Sequence, residues 1–340
     1  MRVWRSLLFA THLERRGSVL AMLLAAAMLL ELAAGTGLAY IAGFATVRDV
    51  LSGFDGVWLT LLVTSMVISF TGYYYAYRGV FRVEGGPRLP GRQMCAVAAA
   101  GFGGFLALGG GALDRYALRA AGAGERQARI RVSGLAGLEQ GVLAIGGCAT
   151  AIAVLVLGLS QPQASVTLPW AIAPVPGFAI AFWAAERYRA SLRGRPGWRG
   201  KAGNFLDSVH IIRQLFIHPL RWGPAVCGMA LFWAADACAV WAALAACGFQ
   251  LGAAALFVGF ATGMVFTRRT GPLAGAGVLS LVLPLTIWAS GAPLATAVAG
   301  VFVYRVLALL LPVPVSLAIL PTLRQLSQGP APHKQGMAVR

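Results

Sequence analysis

The sequence is poor in charge, and poorest in acid. Of 340 residues only 11 are Asp or Glu and 28 are Lys or Arg, so charged residues make up 11% of the chain, against roughly 25% in an average soluble domain. A soluble protein of this length could not cover its surface with so few. Lysine is nearly missing, with Lys201 and Lys334 the two present. The four histidines, His12, His210, His218 and His333, lie outside the apolar segments without ligand spacing. Five cysteines (Cys95, Cys148, Cys227, Cys238, Cys247) sit in apolar segments and form no Cys-x-x-Cys pair; redox and metal spacings are therefore excluded and packing roles expected. The carboxylates are Glu14, Glu31, Asp49, Asp55, Glu84, Asp114, Glu125, Glu139, Glu186, Asp207 and Asp236, no two within four positions of each other. That excludes the Asp-rich motifs with which membrane prenyltransferases and phosphatidyl-alcohol transferases hold magnesium–diphosphate. With no Gly-x-Ser-x-Gly and no phosphate-binding loop either, an enzyme is disfavoured, unless distant carboxylates converge in space. No metal and no cofactor is expected.

What the chain has is apolar length. Hydrophobic residues reach 58% and mean hydropathy is +0.73. A helix needs about 20 consecutive apolar residues to cross a bilayer. Such segments fall at roughly 18–42, 57–77, 94–112, 134–159, 167–185, 224–247, 251–267, 272–290 and 293–320. The first is too long for a cleavable signal. These runs predict an all-α polytopic integral membrane protein of about eight transmembrane helices. Residues 1–17 form a cytoplasmic N-terminal segment, 18–320 one membrane domain, and 321–340 a disordered tail.

The basic residues orient it. Arg2, Arg5, Arg15 and Arg16 precede the first segment, and Arg78, Arg82, Arg88 and Arg92 follow the second. The long loop 187–222 carries Arg187, Arg189, Arg193, Arg195, Arg199, Lys201, Arg213 and Arg221. The net charge of +17 thus reads as positive-inside bias and attraction to anionic lipid headgroups, not as nucleic-acid binding. The expected location is the cytoplasmic (inner) membrane, multi-pass, with the N-terminus inside. One stretch breaks the alternation. Arg115, Arg119, Arg126, Arg129 and Arg131 follow a segment that already starts inside, at Arg92. Re-entry of residues 94–112 resolves the conflict, and Gly101, Gly103, Gly104, Gly109, Gly110 and Gly111 suit a broken helix. A full span that violates the charge rule is the alternative. Residues 272–290 have a similar build, with Gly271, Gly275 and Gly277 after Arg268-Arg269 and Pro284 beyond. Two Gly-rich broken segments, one in each half, point to an internal repeat with a site between them; close helix packing through glycine is the competing explanation.

Within the long loop, Phe205, Leu206, Val209, Ile212 and Phe216 follow helical spacing, with Asn204, Asp207, Ser208 and Arg213 among the intervening residues. This predicts an amphipathic helix in the cytoplasmic interface. Ionisable residues in or beside apolar segments are functional candidates, because a charge at bilayer depth is costly unless paired or hydrated. They are Glu31, Asp114 with Arg115, Glu139, Asp236, Arg268 with Arg269, and Arg305. Asp114, Arg115, Glu139 and Arg305 are expected to line one hydrated headgroup site with the glycines 109–111, 271, 275 and 277. A structural Glu139–Arg305 pair is the alternative.

The run from Gly103 to Arg119, with Ala128-Arg129 and Leu138-Glu139, and the second-half turn from Arg268 to Gly277 with Gly291, Pro293, Ala297, Tyr304 and Arg305, resemble the lysylphosphatidylglycerol synthase transmembrane (flippase-like) family. The resemblance covers about residues 20–320. Val278-Leu279-Ser280 stand where that family often has a Glu, and Gln140 where it often has an Arg; both differences bear on which headgroup is handled. Nothing after Pro321 is expected to fold as the soluble aminoacyl-transferring domain. The resemblance implies translocation of an amphiphilic, anionic or polyprenyl-linked lipid, with a lipid synthase or glycosyltransferase as a partner class. The alternatives are a non-catalytic membrane subunit of a lipid-modifying enzyme and a membrane lipid or glycosyl transferase.

Overall fold

The arginines, dispersed along the sequence, collect at one end of the molecule. In the computed structural model, the described residues are 17–87, 89–102, 114–115, 117–119, 121–158, 163–265, 277–311, 314–315 and 318. They are helical, with no β-strand among them. The Leu- and Ala-rich α1 (Gly17–Ala42) turns by 106° at Gly43 into the short α2 (Phe44–Ser52); Gly43 has φ +89°, a backbone that glycine adopts without strain. Then come α3 (Val57–Arg82), α4 (Gly91–Phe102) and α5 (Glu125–Leu157). Next, α6 (Ala164–Ile172) and α7 (Pro174–Leu192) run on as one apolar length. Pro174, without an N–H to donate, stands at the start of α7. The series closes with α8 (Gly197–Ile217), α9 (Pro219–Ala246), α10 (Ala253–Met264), α11 (Val278–Ala289) and α12 (Leu294–Leu310). Four lengths are long and apolar enough to cross a membrane: Val57–Arg82, Glu125–Leu157, Ala164–Leu192 and Leu220–Ala246. The bent α1–α2 pair makes a fifth if it counts as one span. The chain is thus a helical membrane protein.

The centre is the antiparallel crossing of α3 and α9. Trp58 meets Trp241 edge-on at 5.3 Å at one end, and Gly79 lies against Ala225 at the other. Between them a Cβ on Gly72 would stand 2.4 Å from the Gly228 carbonyl oxygen, and one on Gly228 would stand 2.7 Å from that of Gly72. Only paired glycines admit backbones this close.

α10 and α11 form a second antiparallel pair, with Gly259 against Thr286 and Ser290, and Gly263 against Leu283. The expected segments 251–267 and 272–290 thus pack on each other as a helical hairpin. Its turn, including Gly271 and Gly275, lies outside the described residues, as do Gly109, Gly110 and Gly111.

The two ends differ in charge. Arg78, Arg82, Arg92, Arg126, Arg131, Arg193 and Arg221 lie at one end, tied together where Arg131 donates to the Val80 carbonyl (3.1 Å) and Arg126 to Asn204 Oδ1 (3.0 Å). The opposite end holds Asp55 on the Ala246 carbonyl (2.9 Å) and Gln163 on the Ala289 carbonyl (3.1 Å). Arg48 is the single basic residue there among those described.

α8 corrects one expectation. Its stretch is helical, but Asp207 and Ser208, read as solvent-facing, are buried with Leu206, Val209, Ile211, Ile212 and Leu215, while Phe205 faces outward. The reason is electrostatic: Asp207 receives Arg126 from α5 and Arg193 (3.2 Å) from the chain just after α7, with Arg189 at 4.0 Å. The helix is amphipathic toward protein, packed on α7 and α5.

Candidate functional site

α12 carries Tyr304 and Arg305 side by side, and each reaches a buried carboxylate on a different helix. Arg305 Nε donates to Glu31 Oε1 of α1 at 3.1 Å, and its Nη2 reaches the same oxygen. The Tyr304 hydroxyl donates to Asp236 Oδ2 of α9 at 3.0 Å. All four residues are 6% exposed or less. At 1.5 Å per residue, Glu31 lies about 16 Å below the end of α1, Arg305 about 16 Å from the start of α12, and Asp236 about 15 Å from the end of α9. All three distances run from the arginine-poor end, so these groups form one layer in the interior of the helix bundle, about 15 Å from that end.

The start of α11 meets this layer. Gly277, with φ +79° at the head of α11, stands against Leu30, the residue before Glu31. Any L side chain there would strain the backbone, and its Cβ would touch Leu30. Glu31 Oε2 is buried and finds no hydrogen-bond partner among the described residues. A buried carboxylate oxygen left open is a place for a donor to bind.

Glu139 joins the layer from α5. It is buried, and its backbone carbonyl accepts a hydrogen bond from Trp233 Nε1 at 2.7 Å. Asp114 sits elsewhere. Both its oxygens accept from the Tyr77 hydroxyl at 3.0 Å, beside the last turns of α3 and so toward the arginine-rich end. Arg115 beside it is half-buried. A column of aromatic contacts joins the two places: Tyr77 edge-on to Tyr73 (5.0 Å), and tilted contacts of Tyr73 with Phe232 (5.0 Å) and of Phe232 with Trp233 (4.6 Å).

Of the residues expected to share a site, Arg305 and Gly277 meet in this layer through α1, and Glu139 lies in it against α9. Asp114 and Arg115 lie at the far end of the aromatic column. The partner of Arg305 is Glu31, not Glu139. Glu31 and Asp236 were candidates by burial cost alone; their partners were not legible. Tyr77 and Tyr304 carry no charge near neutral pH, so a search for ionisable groups in apolar segments passes over them. The signal available for Tyr304 is its position next to the deepest arginine.

The Asp207 cluster is the other concentration of charge. One buried carboxylate holds Arg126, Arg189 and Arg193, leaving this region strongly positive. Arg187, Arg195, Arg199, Lys201 and Arg221 remain exposed around it. All five thiols are free. No group of three or more metal-ligating side chains occurs among the described residues. Compared with known proteins, the chain matches no family model and no curated protein.

Proposed function

We propose that the chain translocates an amphiphilic lipid, anionic or polyprenyl-linked, across the cytoplasmic membrane, as its resemblance to the flippase-like family implies. The observation that carries this reading is the buried Glu31–Arg305 pair joining α1 and α12, set against the start of α11. An arginine and carboxylates buried in a membrane domain are costly unless they serve a polar cargo or one another. The guanidinium fork matches a lipid phosphate, and open Glu31 Oε2 can accept from a hydroxyl or ammonium of the same headgroup.

The topology supports two-sided access. With the arginine-rich end cytoplasmic and the N-terminus inside, α1, α3, α5, α6–α7, α9 and α12 cross. Gly91, at the head of α4, lies beside Tyr74, and Asp114 meets Tyr77 at the same arginine-rich end. A re-entrant segment in each half would match transporters built from inverted repeats, in which the site lies between the broken segments. Anionic headgroups of the inner leaflet gather at the exposed arginines of α7 and α8, each contributing about 1 kcal/mol, and a lipid synthase or glycosyltransferase supplies the cargo.

The test is a lipid-flipping assay in reconstituted vesicles over a panel of headgroups. Wild-type protein should accelerate transfer of at least one anionic or polyprenyl-linked lipid. Transfer no faster than in protein-free vesicles across the panel contradicts the reading.

A further inference from the structure

At the arginine-poor end, the 106° bend between α1 and α2 opens a groove of about 240 Å³ between these helices and α12. Leu32, Gly35 and Ala39 of α1, Phe302 of α12 and Val47 of the bent α2 line it, with Gly35 and Phe302 in contact with each other. The lining is apolar except for Thr36 and for Arg48 at the mouth. Arg48 is the lone described basic residue at this end, so it stands against the charge bias of the rest of the chain. Its guanidinium is 81% exposed and touches Asp49 at 3.6 Å, a surface pair that holds it weakly.

From Leu32 to Ala39 the groove runs about 10 Å along α1, within the roughly 15 Å hydrocarbon depth of one leaflet. α2 buries Val47 while Arg48 and Asp49 face solvent, the disposition of a helix lying in an interface. We infer that this groove binds one glycerophospholipid of that leaflet: an acyl chain lies along Gly35 and Phe302, and its phosphate rests on Arg48. Charge selects the occupant. A neutral sterol or a free alkyl chain would leave the arginine at the mouth unanswered, whereas a phosphate accepts from its fork. Gly35 sets the width, since a Cβ there would already stand 3.2 Å from the Phe302 ring. The inference needs the chain to stand in a bilayer and does not need it to move lipid across one.

Photo-crosslinking tests it. Full-length protein in nanodiscs receives phosphatidylglycerol or phosphatidylcholine with a diazirine near the end of one acyl chain, and labelled peptides are mapped. Phosphatidylglycerol should label residues 32–39 and 298–302 above the other lipid-facing helices. Arg48→Gln should lower labelling of these residues by both lipids about fivefold, since each presents a phosphate to the guanidinium. Gly35→Leu should abolish it. If that variant misfolds, Thr36→Trp fills the groove from an exposed position and should do the same. Labelling spread evenly over exposed positions such as Val156, Ile172 and Ile180, and indifferent to both groove-filling variants, would show boundary lipid only and overturn the inference. Failure of the flipping assay alone leaves the groove prediction standing.

Discussion

Arg305 and Glu31 are 274 residues apart in sequence and joined inside the bundle, the guanidinium donating through Nε at 3.1 Å to a carboxylate that is itself buried. The pair closes the chain upon itself, since α1 and α12 lie antiparallel, with Gly35 against Phe302 one turn further on. Neither charge has water to fall back on.

Stability should therefore respond asymmetrically. Arg305→Gln strands a buried carboxylate and should cost about 3–5 kcal/mol, while Glu31→Gln/Arg305→Gln removes both charges and should recover most of it. Thermal unfolding in detergent, read alongside membrane abundance, checks this. A double variant as unstable as the single one would mean the pair is not mutually compensating.

The contact of Gly72 with Gly228 makes a second prediction. Gly72→Ala places a methyl 2.4 Å from a backbone oxygen, which neither helix can move aside like a flexible side chain. It should cost about 1–3 kcal/mol by forcing α3 and α9 apart. Gly37→Ala, where the space around the added methyl is open, should leave the melting temperature unchanged. Equal melting of the two variants would contradict so close a crossing.

Asp207 holds three arginines from outside α8. Asp207→Asn should loosen α8 from α5 and α7 at about 1–3 kcal/mol, with faster proteolysis in the 193–196 connection and the first turns of α8 as a local readout. Arg126→Gln should cost less, because Arg193 and Arg189 remain on the carboxylate. If Asp207→Asn unfolds and cleaves like wild type, the cluster does not hold these helices together.

Orientation has a direct check. In a background lacking the five native cysteines, a cysteine at the exposed Gln127 should resist membrane-impermeant maleimide in whole cells, and one at the exposed Ser52 should label readily. Reversed labelling would invert the molecule. Labelling of both positions would restore a full span for residues 94–112.

Helices were legible because the bilayer imposes length on apolar runs: the predicted segments 18–42 and 224–247 match α1 and α9 within a few residues. The ends were legible through arginine, which collects where the loops do. Pairing was not. Nothing in the local sequence of Arg305 distinguishes Glu31 from Glu139, since both are single carboxylates in apolar helices; tertiary packing alone decides. The 251–267 and 272–290 runs each read as a membrane element, and only the contacts of Gly259 and Gly263 with α11 show that they pack on each other. Asp207 misled for another reason. A carboxylate between apolar positions of a helix reads as the wet face until three guanidinia from other segments come to it.

The central claim is that the buried charge layer handles a lipid headgroup and does more than hold helices together. The most direct measurement compares lipid flipping by wild type and by Glu31→Gln/Arg305→Gln in the same vesicles, at equal amounts of folded protein. The double variant should remain folded and lose flipping. If it flips lipid at the wild-type rate, the Glu31–Arg305 pair is scaffold and the claim is wrong.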